Sequence, residues 1–129
     1  IIVNIGRLQG VRHGQLAIAR NQLLGRVVHL TDNTSTILLL SDNLSRIPAV
    51  SLDSKAKCIV ACNSSKFLTC TYLNEYSQLK DGELIVTSSD SIEITPGIII
   101  GSIFIEKDRF YIKPIIDFEK IEFLQILMP

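Results

Sequence analysis

The stretch "VRHGQLAIA" at residues 11–19 recurs as "LKDGELIVT" at 79–87, and this internal repeat is the strongest indication of the fold. Apolar residues and one glycine fall at the same places in both copies. The glycine suits a tight turn, and the alternating residues after it suit a strand. A second matched pair follows, "LGRVVHL" at 24–30 and "IGSIFIE" at 100–106. Two such short β units predict two small β-barrels, because a closed barrel leaves no strand edge exposed.

Strand-like runs fill the rest of the chain. They are short, rich in Ile, Val and Leu, and bounded by turn residues. Gly25 aligns with Gly101, where a glycine allows a bend or bulge at the start of a strand. Apart from a possible helical turn at 117–120, no window shows a helical period. The sequence therefore predicts an all-β fold. The strands are expected at 1–5, 15–20, 23–30, 36–41, 47–52, 57–62, 67–73, 83–88, 98–105, 110–116 and 123–128.

Composition limits the possible partners. The chain has 129 residues, 47% of them hydrophobic, enough for one ordinary domain or two very small ones. Thirteen basic residues balance thirteen acidic ones, so net charge gives no support for a nucleic-acid partner. No apolar run reaches membrane-spanning length, and no segment of the sequence has the pattern expected of a signal peptide. The chain begins inside a strand-like segment, so we expect a piece of a longer protein whose targeting segment lies upstream.

The three cysteines are Cys58, Cys62 and Cys70. An odd number argues against a full disulfide framework. Cys58 and Cys62 are too far apart along one extended strand to bridge. Cys58 could reach Cys70 only if the hairpin register allows it, and we expect free thiols. The spacing also lacks the paired cysteines typical of zinc sites, so neither a metal nor a cofactor is predicted.

The triplet Ser41–Asn43 matches the S-D-N motif of penicillin-recognising serine enzymes, and Thr31–Asn33 is a near copy. Both triplets lie between strand-like runs, where Asp and Asn favour turns. The accompanying K-T-G motif is absent. Matches to S-x-x-K at Ser54 and Ser77 follow the triplet instead of preceding it. The triplets are therefore interpreted as turns and not as an active site.

A serine hydrolase on a two-barrel, protease-like fold is the alternative function. The residues that could form a Ser-His-Asp triad are His29, Asp32, Asp42, Ser88 and Ser89. No G-x-S-x-G motif surrounds any serine, and a histidine at a strand end is usually structural. We therefore predict no catalytic residues, and that the chain is not an enzyme.

Aromatic residues supply the candidates for partner binding. Phe110 and Tyr111 are neighbours on a predicted strand, so their side chains point to opposite faces. One of them is expected in the core and the other partly exposed. Exposed aromatic rings favour protein interfaces. The partner-binding candidates are Tyr72, Tyr76, Phe110 and Tyr111.

The repeat regions also carry a series of family motifs in order. "VNIGRLQGVRHG" at 3–14 has an N-x-G-x-x-x-G-V turn, a G-R-V strand start follows, and then an L-L-x-D run. "IKPIIDFEKIEFLQIL" at 112–127 contains K-P-x-x-D-x-x-x-I. In this order and over nearly the whole chain, these motifs resemble the MreC rod-shape-determining proteins. The residues that carry the resemblance are Asn4, Gly6, Gly10, Val11, Gly25, Arg26, Val27, Leu39, Leu40, Asp42, Lys113, Pro114 and Asp117.

Three positions depart from the family pattern. Glu83 stands for the usual Asp, Ser89 stands for a glycine, and Thr95 replaces the Phe of a Phe-Pro corner. These changes fall in turns and loops. They leave the strand pattern intact.

The resemblance implies that the second barrel is inserted in the first and that the C-terminal strand returns to the first. The expected units are 1–44 plus 112–129, and 45–111. It further implies a non-enzymatic scaffold of the bacterial cell-elongation machinery, which organises peptidoglycan synthesis and cell shape. The implied partners are the elongation transpeptidase (a class B penicillin-binding protein), membrane components of that machinery, and further copies of the chain. The implied location is the periplasm, with an inner-membrane anchor upstream of this chain.

Overall fold

The computed structural model is all-β and describes residues 1–63, 67–72, 79–88, 95–115, 117–118 and 121–127. A 3-10 turn at Arg7–Gln9 follows the first strand. Every predicted strand is present, and the expected helical turn at 117–120 lies partly outside the described residues. The strands are β1 Ile2–Val3, β2 Leu16–Ala19, β3 Gln22–Leu30, β4 Ser35–Leu39, β5 Ile47–Ser51, β6 Lys57–Cys62, β7 Leu68–Tyr72, β8 Leu84–Thr87, β9 Ile99–Glu106, β10 Arg109–Lys113 and β11 Gln125–Ile126.

The second unit is a closed six-stranded barrel. Its strands follow the order β9-β10-β7-β6-β5-β8, and β8 pairs again with β9. All of these neighbours are antiparallel. Alternate residues of each strand point inward, and they belong to one apolar core that includes Val60, Ile85 and Ile103. Closure leaves this unit without an edge strand.

The first unit is a five-stranded curled sheet in the order β1-β4-β3-β2-β11. Its separate core contains Leu24, Val27 and Ile37. β11 pairs with β2, placing the buried Ile126 opposite Ala17. The expected insertion of the second barrel and return of the C-terminal strand are thus confirmed. Within the described residues, no pairing joins β1 to β11.

The internal repeat is reproduced in the strand register. Ala17 pairs with Gly25 in β2–β3, and Ile85 pairs with Gly101 in β8–β9. The register shifts immediately beyond each of these pairs, so both contain an irregularity at the same place. Such a bulge bends the strand and increases its twist. The expected bend beside each glycine is confirmed.

The turns before β2 and β8 repeat as well. The Gly14 N–H donates to the Val27 carbonyl at 2.9 Å, and the Gly82 N–H donates to the Ile103 carbonyl at 2.7 Å. Both glycines have left-handed backbone angles, with φ of 89° and 84°. Glycine adopts these angles without the steric penalty that a Cβ would bring.

The second copy carries a charge where the first carries an amide. Gln15 Oε1 accepts a hydrogen bond from the Arg12 N–H at 2.9 Å. The equivalent Glu83 is 4% exposed, and its Oε2 accepts from the Lys80 N–H and the Ser54 hydroxyl, both at 2.9 Å. Its Oε1 accepts from the Ser54 N–H. Burial alone would raise the pKa of Glu83, but these hydrogen bonds outweigh it and hold the pKa below the ordinary 4.5.

Glu83→Gln should lower the free energy of unfolding at neutral pH. It should also make that free energy less dependent on pH in the acidic range. The folded-state pKa is depressed, so the carboxylate stabilises the fold above pH 4.5 and loses this contribution as pH falls through the folded-state pKa. The single oxygen of an amide cannot accept the hydrogen bonds from both Ser54 and the Lys80 N–H. The expected loss of unfolding free energy at neutral pH is therefore about 1–3 kcal/mol. Chemical denaturation at a series of pH values from 7 to 3 measures both effects.

The matched control is Glu106→Gln, because the Glu106 side chain is exposed at the end of β9. Its unfolding free energy should follow the wild type within about 0.5 kcal/mol. Parallel pH profiles for wild type and Glu83→Gln would show that the buried carboxylate is not the acid-sensitive group.

The expectation of free thiols is wrong for two of the three cysteines. Cys58 and Cys70 form a disulfide across β6–β7, with their Cα atoms 5.5 Å apart. The pairing register explains the result, since Cys70 lies opposite Val60, two residues along the strand from Cys58. All of these residues point into the barrel. The sequence alone did not fix this register.

A buried glutamine joins the two units. Gln22 lies at the start of β3, is fully buried, and pairs in parallel with Ile99 of β9. Its Nε2 donates to the carbonyls of Leu23 and Ile100 at 3.0 and 2.5 Å. Its Oε1 accepts from the Ile115 N–H at 3.1 Å. One side chain therefore connects β3, β9 and the returning segment.

The unit boundaries at 44/45 and 111/112 remain a proposal. β10 continues to Lys113 and still pairs there with Ser102 of β9. We therefore propose that the return to the first unit starts at Pro114. No helix in the described ranges is long and apolar enough to cross a membrane.

Candidate partner-binding surface

Three aromatic rings meet on the outside of the second barrel. Tyr111 of β10 lies directly opposite Phe104 of β9, and their rings stack with centroids 5.3 Å apart. Phe67, which precedes β7, packs edge-on against Tyr111 at 5.8 Å. Phe67 remains 53% exposed. We call Phe67, Phe104 and Tyr111 the outer aromatic patch.

Strand alternation places these rings on the outer face. Ile103 points into the core, so its neighbour Phe104 points out together with Ser102 and Glu106. On β10, Ile112 is buried and Tyr111 therefore points outward. The patch is a consequence of the barrel register and needs no special backbone geometry.

An apolar groove continues from the patch to the junction between the two units. Its volume is about 330 Å³. Ser41 and Pro114 contribute to it from outside the barrel strands, and Lys113 is the charged residue among its described lining residues. We call it the junction groove. Its lining consists of Ser41, Phe67, Leu68, Phe104, Ile112, Lys113, Pro114 and Phe118.

A larger depression, about 560 Å³, lies beside the returning segment. Its lining mixes apolar and charged residues, among them Arg20, Asp117 and Glu122. Phe123 at its rim is 85% exposed. Among the described residues, no stacked pair of rings lies there, so the outer aromatic patch is the stronger candidate for a protein interface.

The four residues predicted from the sequence to bind a partner lie in different surroundings. Tyr111 belongs to the outer aromatic patch. Phe110 is half-buried and packs against the barrel core. The Tyr72 backbone ends β7 opposite Cys58, but its side chain lies outside the description. Tyr76 lies outside the described residues. The opposite orientation expected for Phe110 and Tyr111 is present.

Sequence reasoning missed Phe67 and Phe104. A usable signal existed for Phe104, because Ser102 and Glu106 share its face and mark that face as exposed. Phe67 follows a polar run, "NSSK", and carries no periodic signal. Its approach to Tyr111 depends on the β7–β10 pairing, which joins residues far apart in the chain.

The two D-N triplets form turns, as interpreted. Asp42 Oδ1 accepts from the Leu44 N–H at 2.8 Å, closing the corner before β5. Thr31 Oγ1 accepts from the Thr34 N–H at 2.9 Å, closing the β3–β4 turn. Asp32 lies 3.5 Å from the Arg7 guanidinium. The polar side chains of both triplets therefore make local contacts that stabilise the turns.

The hypothetical triad residues are distributed over different turns and strands. His29 is exposed on β3, and Ser88 is buried beyond β8, where its N–H donates to the Pro48 carbonyl. Ser89 lies outside the described residues. The carboxylates of Asp32 and Asp42 are engaged as described above. The described ranges also contain no cluster of three or more His, Cys, Asp or Glu side chains suited to a metal ion.

Sequence comparison assigns the family. Residues 1–128 match the family described as "Rod shape-determining protein MreC, barrel core". The chain belongs to the MreC family. The cell shape-determining protein MreC of Cereibacter sphaeroides is 26% identical over 128 residues, covering 98% of this chain and 43% of that protein. The chain therefore spans less than half the length of this curated MreC.

Solved MreC structures share the fold. MreC from Pseudomonas aeruginosa superposes with a TM-score of 0.80 at 19% identity, covering 99% of this chain and 88% of that one. A Helicobacter pylori chain, solved as a complex between penicillin-binding protein PBP2 and MreC, gives a TM-score of 0.62 at 14% identity. That match covers 76% of this chain and 65% of the other. MreC proteins are shape-determining proteins and not enzymes, as predicted for this chain. Nothing in the comparisons supports the serine hydrolase alternative.

Proposed function

We propose that this chain is the periplasmic β domain of a non-enzymatic scaffold of the cell-elongation machinery, and that it binds a class B penicillin-binding protein. The outer aromatic patch carries the proposal, because it offers rigid apolar rings on an MreC-family fold. The Helicobacter pylori MreC complex with PBP2 supports this choice of partner. Scaffolding of this kind organises peptidoglycan synthesis and cell shape through binding alone.

The patch has the composition of an interface hot spot. Tyr and Phe supply large contact areas with little loss of side-chain freedom, and hot spots cluster where such rings can be fully desolvated. The exposed Phe67 provides an apolar anchor, and the junction groove beside it can receive one from the partner. Lys113 at the groove favours a partner segment that carries a carboxylate next to its apolar anchor.

The periplasmic location rests on the family and on the cysteines. Two solved relatives are named as the major periplasmic domain of the cell shape-determining filament MreC. A Cys58–Cys70 disulfide persists in an oxidising compartment and is rare in the cytosol. Anchoring to the inner membrane, contact with membrane components of the elongation machinery, and self-association belong to the same proposal for the full-length protein.

Tyr111→Ala and Phe67→Ala should each weaken binding to the extracytoplasmic part of the cognate class B penicillin-binding protein by roughly tenfold or more. Titration calorimetry or surface plasmon resonance with purified proteins measures the change. Leu8→Ala is the matched control, because Leu8 is 71% exposed on the first unit and belongs neither to the patch nor to the lining of the junction groove.

Control and patch variants should keep the wild-type unfolding midpoint within a few degrees, which separates binding from folding. Wild-type affinity in both patch variants would place the interface elsewhere. Absence of any binding by the wild-type domain would contradict the proposed partner.

A further inference from the structure

The three cysteines lie on one inner face of the β6–β7 pair. Cys58 and Cys62 point into the second barrel from β6, and Cys70 points into it from β7. Their exposed fractions are 1%, 5% and 7%. Cys70 lies opposite Val60, midway between the two cysteines of β6. It is therefore diagonal to both of them.

The two diagonals are not equivalent in the finished sheet. Strand twist brings one diagonal closer and moves the other apart. The Cys58–Cys70 diagonal has a Cα separation of 5.5 Å, within the range that a disulfide requires. The finished barrel thus selects Cys58 as the partner of Cys70. Cys62 keeps its thiol, whose Sγ lies 3.6 Å from the Asn63 carbonyl oxygen.

Chain entropy favours the other pairing before the barrel closes. Cys62 and Cys70 are eight residues apart, whereas the sequence separation of Cys58 and Cys70 is 12. Loop-closure entropy makes the shorter loop roughly twofold easier to close. A nascent β6 strand also holds Cys58 and Cys62 too far apart to bond with each other.

We propose that Cys58, Cys62 and Cys70 form a disulfide-exchange cluster in which Cys62–Cys70 is the preferred early bond and is then replaced by Cys58–Cys70. The first bond requires an oxidant, which we assign to a dithiol–disulfide oxidoreductase. Two thiols of this chain are oxidised to one disulfide, and their two electrons and two protons reduce the oxidoreductase disulfide to a dithiol. The chain is thus a substrate of thiol–disulfide exchange, independently of the function proposed above.

The second step needs no further oxidant. The Cys58 thiolate attacks the Cys70 sulfur, a new Cys58–Cys70 bond forms, and the Cys62–Cys70 bond breaks. Cys62 leaves as a thiolate and takes up a proton. Closure of the barrel then buries all three sulfur atoms and ends the exchange, because buried thiols are poorly reactive.

The test follows disulfide formation from the reduced, unfolded chain. Refolding in a glutathione redox buffer, with and without a purified dithiol–disulfide oxidoreductase, is quenched by alkylation at successive times. Peptide mass spectrometry then assigns each bond. In the wild type, Cys62–Cys70 should exceed Cys58–Cys70 by roughly twofold at the earliest times and then convert to it.

Two variants make the test independent of folding yield. Cys62→Ala should form Cys58–Cys70 directly, without a lag. Cys58→Ala should retain Cys62–Cys70 as its final bond. The proposal is overturned if the wild type never shows Cys62–Cys70, if Cys58–Cys62 dominates early, or if Cys62–Cys70 disappears from the wild type without a matching gain of Cys58–Cys70.

Discussion

Replacing Gln22 with alanine is expected to lower the unfolding free energy by at least about 3 kcal/mol. The truncation removes the partners of three backbone groups, the carbonyls of Leu23 and Ile100 and the N–H of Ile115. Gln22 is 0% exposed, so water cannot readily replace the lost amide. The loss would be a large share of the stability of a domain of this size. Denaturant unfolding followed by circular dichroism measures it.

Two further variants identify the cause. Gln125→Ala should change stability by no more than about 0.5 kcal/mol, because that side chain is exposed on β11. Gln22→Glu should be worse than alanine, since a buried carboxylate would face the carbonyls of Leu23 and Ile100. If Gln22→Ala unfolds at the wild-type midpoint, the amide does not hold the units together.

Gly25→Ala is the second change with a large expected effect. A Cβ at Gly25 would overlap the backbone carbonyl of Leu38 and lie 2.9 Å from the Leu39 Cα. Because these are backbone atoms of the neighbouring strand, β3 and β4 would have to separate. Overpacking commonly costs about 1–3 kcal/mol, and a backbone collision belongs at or above the top of that range. Gly101→Ala should behave alike, since its Cβ would overlap the Lys113 carbonyl.

The contrast with Gly82→Ala separates crowding from backbone conformation. Nothing lies within 4 Å of a Cβ at Gly82, but its φ of +84° is left-handed. Alanine there should cost only about 1–2 kcal/mol of conformational energy. Thermal unfolding of Gly25→Ala, Gly101→Ala and Gly82→Ala measures the order of their stability losses. Equal losses for Gly25→Ala and Gly82→Ala would mean that strand separation is not the cause.

The strands and the repeat were predictable because both follow from local patterns. A short apolar run bounded by turn residues located β6, and the aligned glycines located the bends in β3 and β9. The wrong prediction, free thiols at Cys58 and Cys70, depended on the register between strands. The disulfide required Cys70 to lie opposite Val60, and the sequence contains no local signal for that pairing.

The candidate surface shows the same limit. Tyr111 was chosen from its position beside Phe110, yet its stacking on Phe104 needs the β9–β10 register. Gln22 stands just before the expected strand 23–30, and nothing in the local sequence distinguishes it. Its role appears only when β3 and β9 are brought together from opposite halves of the chain.

The junction groove is lined by residues of both units. The affinity of the groove for an occupant should therefore depend on how the two units are arranged. An occupant that touches Ser41, Phe104 and Pro114 binds one arrangement of the units better than others. Thermodynamic reciprocity then requires that whatever biases the angle changes the affinity of the groove by the same factor. Gln22 links the two units from inside the molecule through the Ile100 carbonyl and the Ile115 N–H, so its replacement should weaken binding in the groove without any change in the lining residues.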